Sequence, residues 1–311
     1  MYKGVMFAAV LLTAFALTGK AAGTLERLVK VGDGLQFPEG PAYDGKGNVV
    51  VSNCSADYVT RFDAQGHATV LYKAAADSFT FQKTNGMTYY KDGSLFVCDF
   101  GRNAIIRIHP DGKQEVYADR CDGQPFKGPN DLAFDPHGNL YFSDPAGSDE
   151  KNPIGCVYRV EQGTRKVTRV AEGMAFPNGV AFSADAKTLY VAESNRFRIL
   201  RFAVQADGSL GPQETFCQFP KDYVPDGMNF DSAGNLWVAL YAPGIVGVVD
   251  TSGHLAREIP MPGKGVTNVE FADRDLKTLY ITVADIGALY KLRVETPGLA
   301  LFCAPPNRAK K

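Results

Sequence analysis

Asn85-Gly86-Met87-Thr88-Tyr89-Tyr90 is one copy of the short pattern that decides the fold. It opens with an amide side chain, runs directly into a short apolar strand, and is followed by the turn signal Lys91-Asp92-Gly93. Five further segments share this form, each opening with Asn, Asp or Glu: Glu39–Asp44, Asn130–Asp135, Asn178–Ser183, Asp226–Asp231 and Asn268–Asp273. The opening residues recur at intervals of 42 to 48 residues, which is the size of a four-stranded propeller blade.

The interior of each repeat is typical of β-hairpins. A second β-rich strand follows the turn, as in Leu95-Phe96-Val97 and Leu189-Tyr190-Val191, and a third follows in turn, as in Ile199–Phe202. No long segment shows helical periodicity. The sequence therefore predicts an all-β fold, a six-bladed β-propeller. The strand that closes the ring is supplied either by the residues before Glu39 or by those near Leu299–Phe302.

A single Trp and the lack of a repeated Trp-Asp ending argue against the tryptophan–aspartate repeat class of propellers. The net charge of −1 over 311 residues does not indicate a basic surface, so we expect no nucleic-acid partner. Six cysteines occur without a C-x-x-C motif, which disfavours a thiolate zinc site and leaves any disulfide pairing open. Cys98, within an apolar run, is expected to be a small buried residue.

The first 23 residues differ from the rest. Lys3 precedes an apolar run over Val5–Thr18, and small residues follow at Gly19–Gly23. This order indicates a secretory signal peptide over residues 1–23 and one propeller domain over residues 24–311. The expected location is periplasmic or secreted, with no membrane association after cleavage. An uncleaved membrane anchor is the alternative, although the apolar run is short for a bilayer.

In a propeller the innermost strand of each blade lines the central channel, so the six opening residues should meet at one mouth. They are Glu39, Asn85, Asn130, Asn178, Asp226 and Asn268. Two carboxylates brought together repel each other unless they are protonated or neutralised by a cation. Carboxylate and amide oxygens suit Ca²⁺, Mg²⁺ or Mn²⁺. The sequence predicts a central divalent-metal site; alternatively, these side chains cap strands or bind channel water.

A second polar register lies about fourteen residues further on, at Asn53, Asp99, Asp144 and Glu193. The fifth repeat has Leu240 at this place and the sixth has Ala284-Asp285. A hairpin returns its second strand to the end where the first began, so these side chains should lie on the same face as the opening residues. We expect them to be blade-to-blade or supporting partners of the opening residues, and not metal ligands.

Several chemistries lack their residues. All four histidines, His67, His109, His137 and His254, fall at predicted turns on the rim, which disfavours a catalytic histidine or a histidine-rich zinc site. No G-x-S-x-G elbow, G-x-G-x-x-G or Walker A sequence occurs. An enzyme built on this chain must therefore rely on metal and carboxylate.

Taken in order, five motifs make the chain resemble the senescence-marker-protein, gluconolactonase and luciferin-regenerating-enzyme family over nearly its whole mature length. They are Glu39-Gly40-Pro41, Pro129-Asn130-Asp131, Tyr141–Pro145, Pro177–Val180 and Pro225–Met228. The resemblance implies a six-bladed propeller with one axial divalent cation, Ca²⁺ being favoured over Mn²⁺, Mg²⁺ or Zn²⁺. By motif match it implies that Glu39, Asn178 and Asp226 bind the metal. Asn130 and Asn85 would then contact a lactone substrate.

Family members are mostly lactonases, many acting on sugar lactones such as glucono-1,5-lactone. Some carry an arginine two residues before the position of Asn130, where it holds a sugar acid; here that residue is Gly128. The departure weakens the expectation of a sugar substrate. Phe37, Phe126 and Phe176 lie near the motifs, and they either favour a less polar lactone or are ordinary core residues.

We expect a metal-dependent hydrolase that opens a lactone ring, a gluconolactonase-like sugar lactonase in the first instance. In that mechanism the cation polarises the carbonyl, and Asp226 takes a proton from water and passes it to the ring oxygen. Two alternatives stay open: an organophosphate or aryl-ester hydrolase on the same metal site, or a non-enzymatic propeller that binds a metal or a partner. A strictosidine-synthase-like propeller is a more remote alternative. The sequence does not determine the oligomeric state.

Overall fold

A computed structural model describes residues 27–72 and 80–306, and within them the chain forms six four-stranded antiparallel sheets. The innermost strands of successive sheets pack side by side, and that of the sixth packs against that of the first, so the ring is closed. The predicted six-bladed propeller is confirmed. The predicted signal peptide, residues 1–23, lies outside the described residues.

Each blade is a meander whose strands are given from the axis outward. Blade 1 contains Pro38–Tyr43, Val49–Asn53, Val59–Phe62 and Ala68–Leu71. Blade 2 contains Thr84–Tyr89, Leu95–Asp99, Ala104–Ile108 and Gln114–Ala118. Blade 3 contains Leu132–Phe134, Leu140–Asp144, Gly155–Val160 and Val167–Met174.

Blade 4 contains Pro177–Phe182, Thr188–Glu193, Arg198–Ala203 and Glu214–Gln218. Blade 5 contains Pro225–Phe230, Leu236–Leu240, Ile245–Val249 and Leu255–Pro260. Blade 6 contains Val266–Ala272, Thr278–Val283, Ala288–Arg293 and, as its outermost strand, Val29–Gly32. A short pair of strands, Arg120–Cys121 and Gln124–Pro125, joins blades 2 and 3, and a 3-10 turn spans Ser194–Arg196.

The second strand is entirely buried in every blade except blade 4, because both of its faces pack against neighbouring blades. In Leu95–Asp99 every residue is buried, and the apolar side chains alternate between two cores. Val97 packs into the core shared with blade 1, whereas Phe96 packs edge-on against Phe134 of blade 3, with ring centroids 5.0 Å apart. Because successive side chains of a strand point to opposite faces of the sheet, large apolar residues on the second strand pack against both neighbouring blades.

The strand that closes the ring comes from the residues before Glu39. Val29 pairs with Lys291 and Lys30 with Tyr290, so the N-terminal strand completes a sheet whose other three strands are the last in the chain. The other candidate, Leu299–Phe302, instead crosses the face remote from the opening residues. There the Leu299 amide donates to the Phe230 carbonyl and Phe302 lies 6.3 Å from the Phe182 ring centre.

All six cysteines are free thiols, and Cys98 is fully buried as expected. Within residues 27–72 and 80–306, no helix is both long and apolar enough to span a lipid bilayer.

Closure by Val29–Gly32 predicts a specific sensitivity to truncation. A protein lacking residues 1–32 should unfold at least about 5 °C below one lacking residues 1–26, because it loses a strand and leaves Ala288–Arg293 as an open edge. Thermal unfolding followed by circular dichroism compares the two proteins. Equal unfolding temperatures would show that blade 6 does not need this strand.

Candidate functional site

Five of the six predicted opening residues converge at one end of the axis as expected. Glu39, Asn85, Asn130, Asn178 and Asp226 are all buried. In blades 1, 2, 4 and 5 the inner strand carries one extra residue relative to its partner immediately after the opening residue. Such a bulge bends the strand and re-aims its side chain, which an unbroken pleat could not do.

The residue after each opening residue explains why the ring is so tight. A Cβ on Gly179 would lie 2.4 Å from the Asp226 carbonyl oxygen, and one on Gly86 would lie 2.7 Å from the Asn130 carbonyl oxygen. The Gly86 amide also donates to that Asn130 oxygen, at 2.8 Å. Glycine at this tier therefore lets the backbone of the next blade approach closely, and the opening side chains are brought together as a result.

The sixth repeat is shifted by one residue relative to the predicted register. In blade 4, Pro177 pairs with Glu193, the last residue of the second strand, and the next residue is the opening residue. In blade 6, Val266 pairs in the same way with Val283. The opening position of blade 6 is therefore occupied by Thr267 and not by Asn268. Thr267 donates to the Pro38 carbonyl oxygen, and Asn268 stands in the glycine tier. The prediction that Asn268 opens blade 6 was wrong, because the repeats were aligned by the residue type Asn and strand pairing shifts the alignment by one residue. The Asn268 amide nevertheless hydrogen-bonds Glu39 from that tier.

Glu39 and Asp226 form the electrostatic centre of the site. Burial, followed by repulsion from neighbouring carboxylates, raises the pKa of both groups well above the ordinary range. The neighbour is Asp226 for Glu39 and Asp131 for Asp226, whereas hydrogen bonding by the Asn268 and Asn178 amides partly opposes the shifts. No ion pair within the described residues involves either carboxylate.

This donor set fits a divalent cation. Two buried carboxylates without a cationic partner are costly when both are ionised, and a cation removes that cost. The amide oxygens of Asn85, Asn130 and Asn178 add neutral hard donors beside them. No cluster of three or more acidic, histidine or cysteine side chains with metal-binding geometry occurs in the described part of the chain. A cation here would therefore be shared between carboxylates and amides, as the sequence predicts.

Two buried carboxylates that the sequence analysis did not single out lie further along the axis. Asp131 and Glu270 line an axial cavity whose far end is lined by Leu299–Phe302. Burial raises the pKa of Asp131 to about 7 and that of Glu270 to about 8. The Leu132 amide donates to Asp131 at 2.9 Å and the Asn229 amide to Glu270 at 2.8 Å. Asp131 stands where other blades have glycine, which is the signal that could have revealed it.

The second polar register holds the loops of the mouth. Asp99 accepts the backbone amides of Gln82 and Lys83, and Asp144 accepts those of Lys127 and Gly128. Asn53, Glu193 and Asp285 accept backbone amides of Gln36, Ala175 and Gly265 in the same way. These contacts agree with the predicted supporting role; that these residues are not metal ligands stays a prediction. The blade-to-blade role is wrong, because each side chain binds the loop entering the inner strand of its own blade.

Blade 5 has Leu240 in place of that polar residue, and the next residue, Tyr241, belongs to the mouth. Burial, and then the charges of Asp226, Asp285 and Glu39, raise the pKa of Tyr241, so its hydroxyl lies within their electrostatic reach. Leu240 interrupts the second polar register in blade 5, and this interruption was the one feature of the sequence that pointed to Tyr241.

The three phenylalanines proposed for the pocket divide into two groups. Phe126 is core, at 1% exposure, with its ring 4.9 Å from that of Phe142. Phe37 and Phe176 stand two residues before Glu39 and Asn178, and Phe37 is 37% exposed. A Cβ at Gly128 would lie 2.9 Å from the Ala146 Cβ and 3.1 Å from the Phe100 ring, so the mouth has no space there for a longer side chain.

The histidines lie away from this end, as predicted. His67 contacts Asp63, His109 contacts Glu115 and His254 contacts Ser252, all within turns or outer strands, and His137 lies in a turn of blade 3. The site therefore contains carboxylates, amides and a phenol, and the Cys54 thiol lies within electrostatic reach of Glu39 and Asp226. Such a set can bind a hard cation, orient a carbonyl compound and move a proton through a carboxylate.

Comparison with known proteins identifies a matching family. Residues 37–285 match the profile of the family described as the SMP-30/Gluconolactonase/LRE-like region. A gluconolactonase from Zymomonas mobilis is 29% identical over 278 residues, which cover 80% of this chain and 77% of that protein.

Two solved structures share the fold. A gluconolactonase from Xanthomonas campestris superposes with a TM-score of 0.76 at 31% identity, covering 88% of this chain and 90% of that one. Regucalcin from Agrobacterium tumefaciens, described as a calcium-binding protein, superposes with a TM-score of 0.73 at 20% identity, covering 91% and 97% of the two chains.

The glycine tier predicts that Gly179→Ala damages the site from the backbone. The new Cβ meets the Asp226 carbonyl oxygen, so blades 4 and 5 must separate, and we expect a loss of about 1–3 kcal/mol of unfolding free energy together with weaker cation binding. Denaturant unfolding and calorimetric titration with Ca²⁺ measure the two effects. Gly211→Ala is the matched control, since its Cβ meets only ordinary contacts from 3.4 Å. Equal losses in both variants would contradict the interpretation.

Glu270 predicts a pH dependence of stability. Its pKa is raised from 4.5 to about 8 on folding, so its stabilising contribution is complete below pH 4.5 and is lost as the pH rises through about 8. Relative to Glu270→Gln, the wild type should lose roughly 1.4 kcal/mol of unfolding free energy per pH unit within that window. Urea unfolding at several pH values measures the difference. Parallel stability curves for the two proteins would show that Glu270 titrates normally.

Proposed function

The chain belongs to the SMP-30/gluconolactonase/LRE-like family, and we propose that it is a lactonase that opens the ring of a small lactone at the axial site. The observation that carries the proposal is the buried pair Glu39 and Asp226, surrounded by amides and without a cationic partner among the described residues. The gluconolactonase names of the relatives support lactone hydrolysis as the reaction.

Glu39, Asn178 and Asp226 would hold one divalent cation, with Ca²⁺ favoured over Mn²⁺, Mg²⁺ and Zn²⁺. Regucalcin, which has the same fold, is described as calcium-binding, and this supports the choice of ion. When bound, the cation supplies Lewis acidity toward the lactone carbonyl and the negative charge that develops on it. Glu39 from blade 1 and Asn178 from blade 4 would hold the cation in position.

Asp226 is the proposed proton-transfer residue. Its carboxylate accepts a proton from water as the water oxygen bonds to the carbonyl carbon, and it returns that proton to the ring oxygen as the ring C–O bond breaks. The product is a hydroxy acid, which ionises and acidifies the solution.

Asn85 and Asn130 are the proposed substrate-orienting residues. Both amides are buried at the same mouth as Glu39 and Asp226 but are provided by blades 2 and 3, so they flank the two carboxylates on one side. Their N–H₂ groups can donate to substrate oxygens. Glucono-1,5-lactone is the reference substrate, because it is the lactone that the relatives' names indicate.

We also propose that the protein is exported to the periplasm or secreted, with residues 1–23 removed as a signal peptide. The basic start, apolar run and small residues of that segment support this proposal. Amino-terminal sequencing of protein recovered from outside the cytoplasm tests it, and an intact Met1 there would favour a membrane anchor.

Asp226→Asn should lower kcat by about 100-fold or more while changing KM much less, because it removes the proton acceptor but keeps an oxygen ligand. A pH-stat assay of residues 24–311 with lactones in Ca²⁺, Mn²⁺ or chelator measures acid release. Asp111→Asn, in an exposed turn, is the control. Full turnover by Asp226→Asn with Ca²⁺ bound would assign the proton transfer elsewhere.

The same preparation separates the two other functions. Greater turnover of an aryl ester or a phosphotriester than of any lactone would favour the broader hydrolase on this metal site. Tight Ca²⁺ binding without turnover of any of these compounds would favour a binding propeller. Lactone turnover that survives removal of all divalent cations would contradict the role proposed for the metal.

A further inference from the structure

Two phenylalanines hold an unusual backbone conformation at the mouth. Phe37 has φ of 54° and Phe176 has φ of 60°, which is the left-handed region that bulky side chains rarely adopt. Each is followed by a proline and then by a residue of the axial site, Glu39 or Asn178. The same local structure thus occurs twice, at the entrance to the inner strands of blades 1 and 4.

Matched hydrogen bonds flank both conformations. The carbonyl oxygen of Phe37 accepts from the Cys54 amide and that of Phe176 from the Ser194 amide, both at 3.0 Å. The residue before each phenylalanine donates its amide to the polar side chain at the end of the second strand: Gln36 to Asn53 and Ala175 to Glu193, at 2.9 and 2.7 Å. Strain of this kind persists only where surrounding contacts fix it, and it concentrates at functional sites.

The two positions are opposite each other across the mouth. Blades 1 and 4 are separated by two blades in either direction around the closed ring of six. Neither ring belongs to a hydrophobic core among the described residues, and Phe37 is 37% exposed. Core packing therefore does not account for these two aromatic side chains, each two residues before an axial residue.

Between them, Gly128 stands two residues before Asn130 in blade 3, so no side chain extends from that position. Its surroundings are apolar, namely the Ala146 methyl group and the Phe100 ring. A sugar lactone carries several hydroxyl groups, each of which loses hydrogen bonds to water when placed against such a surface. An apolar substituent loses none and gains contact with the aromatic rings.

We propose that Phe37 and Phe176 form an aromatic clamp that selects lactones carrying an apolar ring substituent over polyhydroxylated sugar lactones. The proposal rests on the proposed lactonase activity of the axial site and narrows its substrate class. The clamp holds the substituent outside the carboxylates while the lactone carbonyl lies at the axis. The two phenylalanines are thus specificity-determining residues for this reaction and take no part in its bond changes.

Three lactones of equal ring size test the clamp: δ-valerolactone, δ-valerolactone with an n-pentyl group on the carbon next to the ring oxygen, and glucono-1,5-lactone. The wild type with Ca²⁺ should show its highest kcat/KM for the pentyl compound. Phe37→Ala with Phe176→Ala should lower kcat/KM for that compound by about tenfold or more, mainly through KM, and change that for δ-valerolactone by less than about threefold. The Phe→Leu pair, which keeps apolar bulk, should retain an intermediate value.

Val116→Ala is the matched control, because Val116 is also an exposed apolar residue, 44% exposed, but lies on the outermost strand of blade 2. Circular dichroism and thermal unfolding of each variant separate loss of fold from loss of selectivity. A wild-type preference for glucono-1,5-lactone, or an alanine pair that keeps its selectivity for the pentyl compound, would overturn the clamp and leave the lactonase proposal intact. Failure of the wild type to open any of the three lactones would overturn both.

Discussion

The site depends on how closely the inner strands of neighbouring blades approach one another around the axis. At Gly86 and Gly179 the next strand lies so near that even a methyl group would collide with its backbone. This spacing brings side chains from five blades to one end of the axis, although the residues are separated by more than forty positions in the chain. The N-terminal strand completes blade 6 from the outside and so ties the start of the chain to its last sheet.

Convergence of this kind creates an electrostatic problem that a cation can resolve. Glu39 and Asp226 are removed from water, and each lies within reach of another carboxylate, so their ionised forms are destabilised together. The same strand ring places Asp131 and Glu270 further along the axis, where burial also favours the protonated forms. The axis therefore carries four buried carboxylates, and burial favours the protonated form of each.

The polar residues at the ends of the second strands hold the entry loops in place, whereas the axial carboxylates provide the chemical groups of the site. Asp99 and Asp144 accept backbone amides of the entry loops, so their charge serves to fix those loops. Glu193 does the same while also pairing with Arg196 and Arg198. Loops held in this way can support the left-handed Phe37 and Phe176, and variation at the mouth can change the substrate without disturbing the axial carboxylates.

The sequence by itself determined the blade number, the strand order and most of the axial residues, because a repeat of about 45 residues places equivalent positions in equivalent environments. Glu39, Asn178 and Asp226 were found by phase alone. Phase failed at blade 6, where strand pairing puts Thr267 at the opening position, and it could not reveal Glu270, which has no counterpart in the repeat. The closing strand, the intra-blade role of Asp99 and the division of Phe37 from Phe126 were decided only by tertiary structure. All three features depend on contacts between segments that are distant in the sequence. The local sequence pattern does not specify which distant residues will pack beside a given residue.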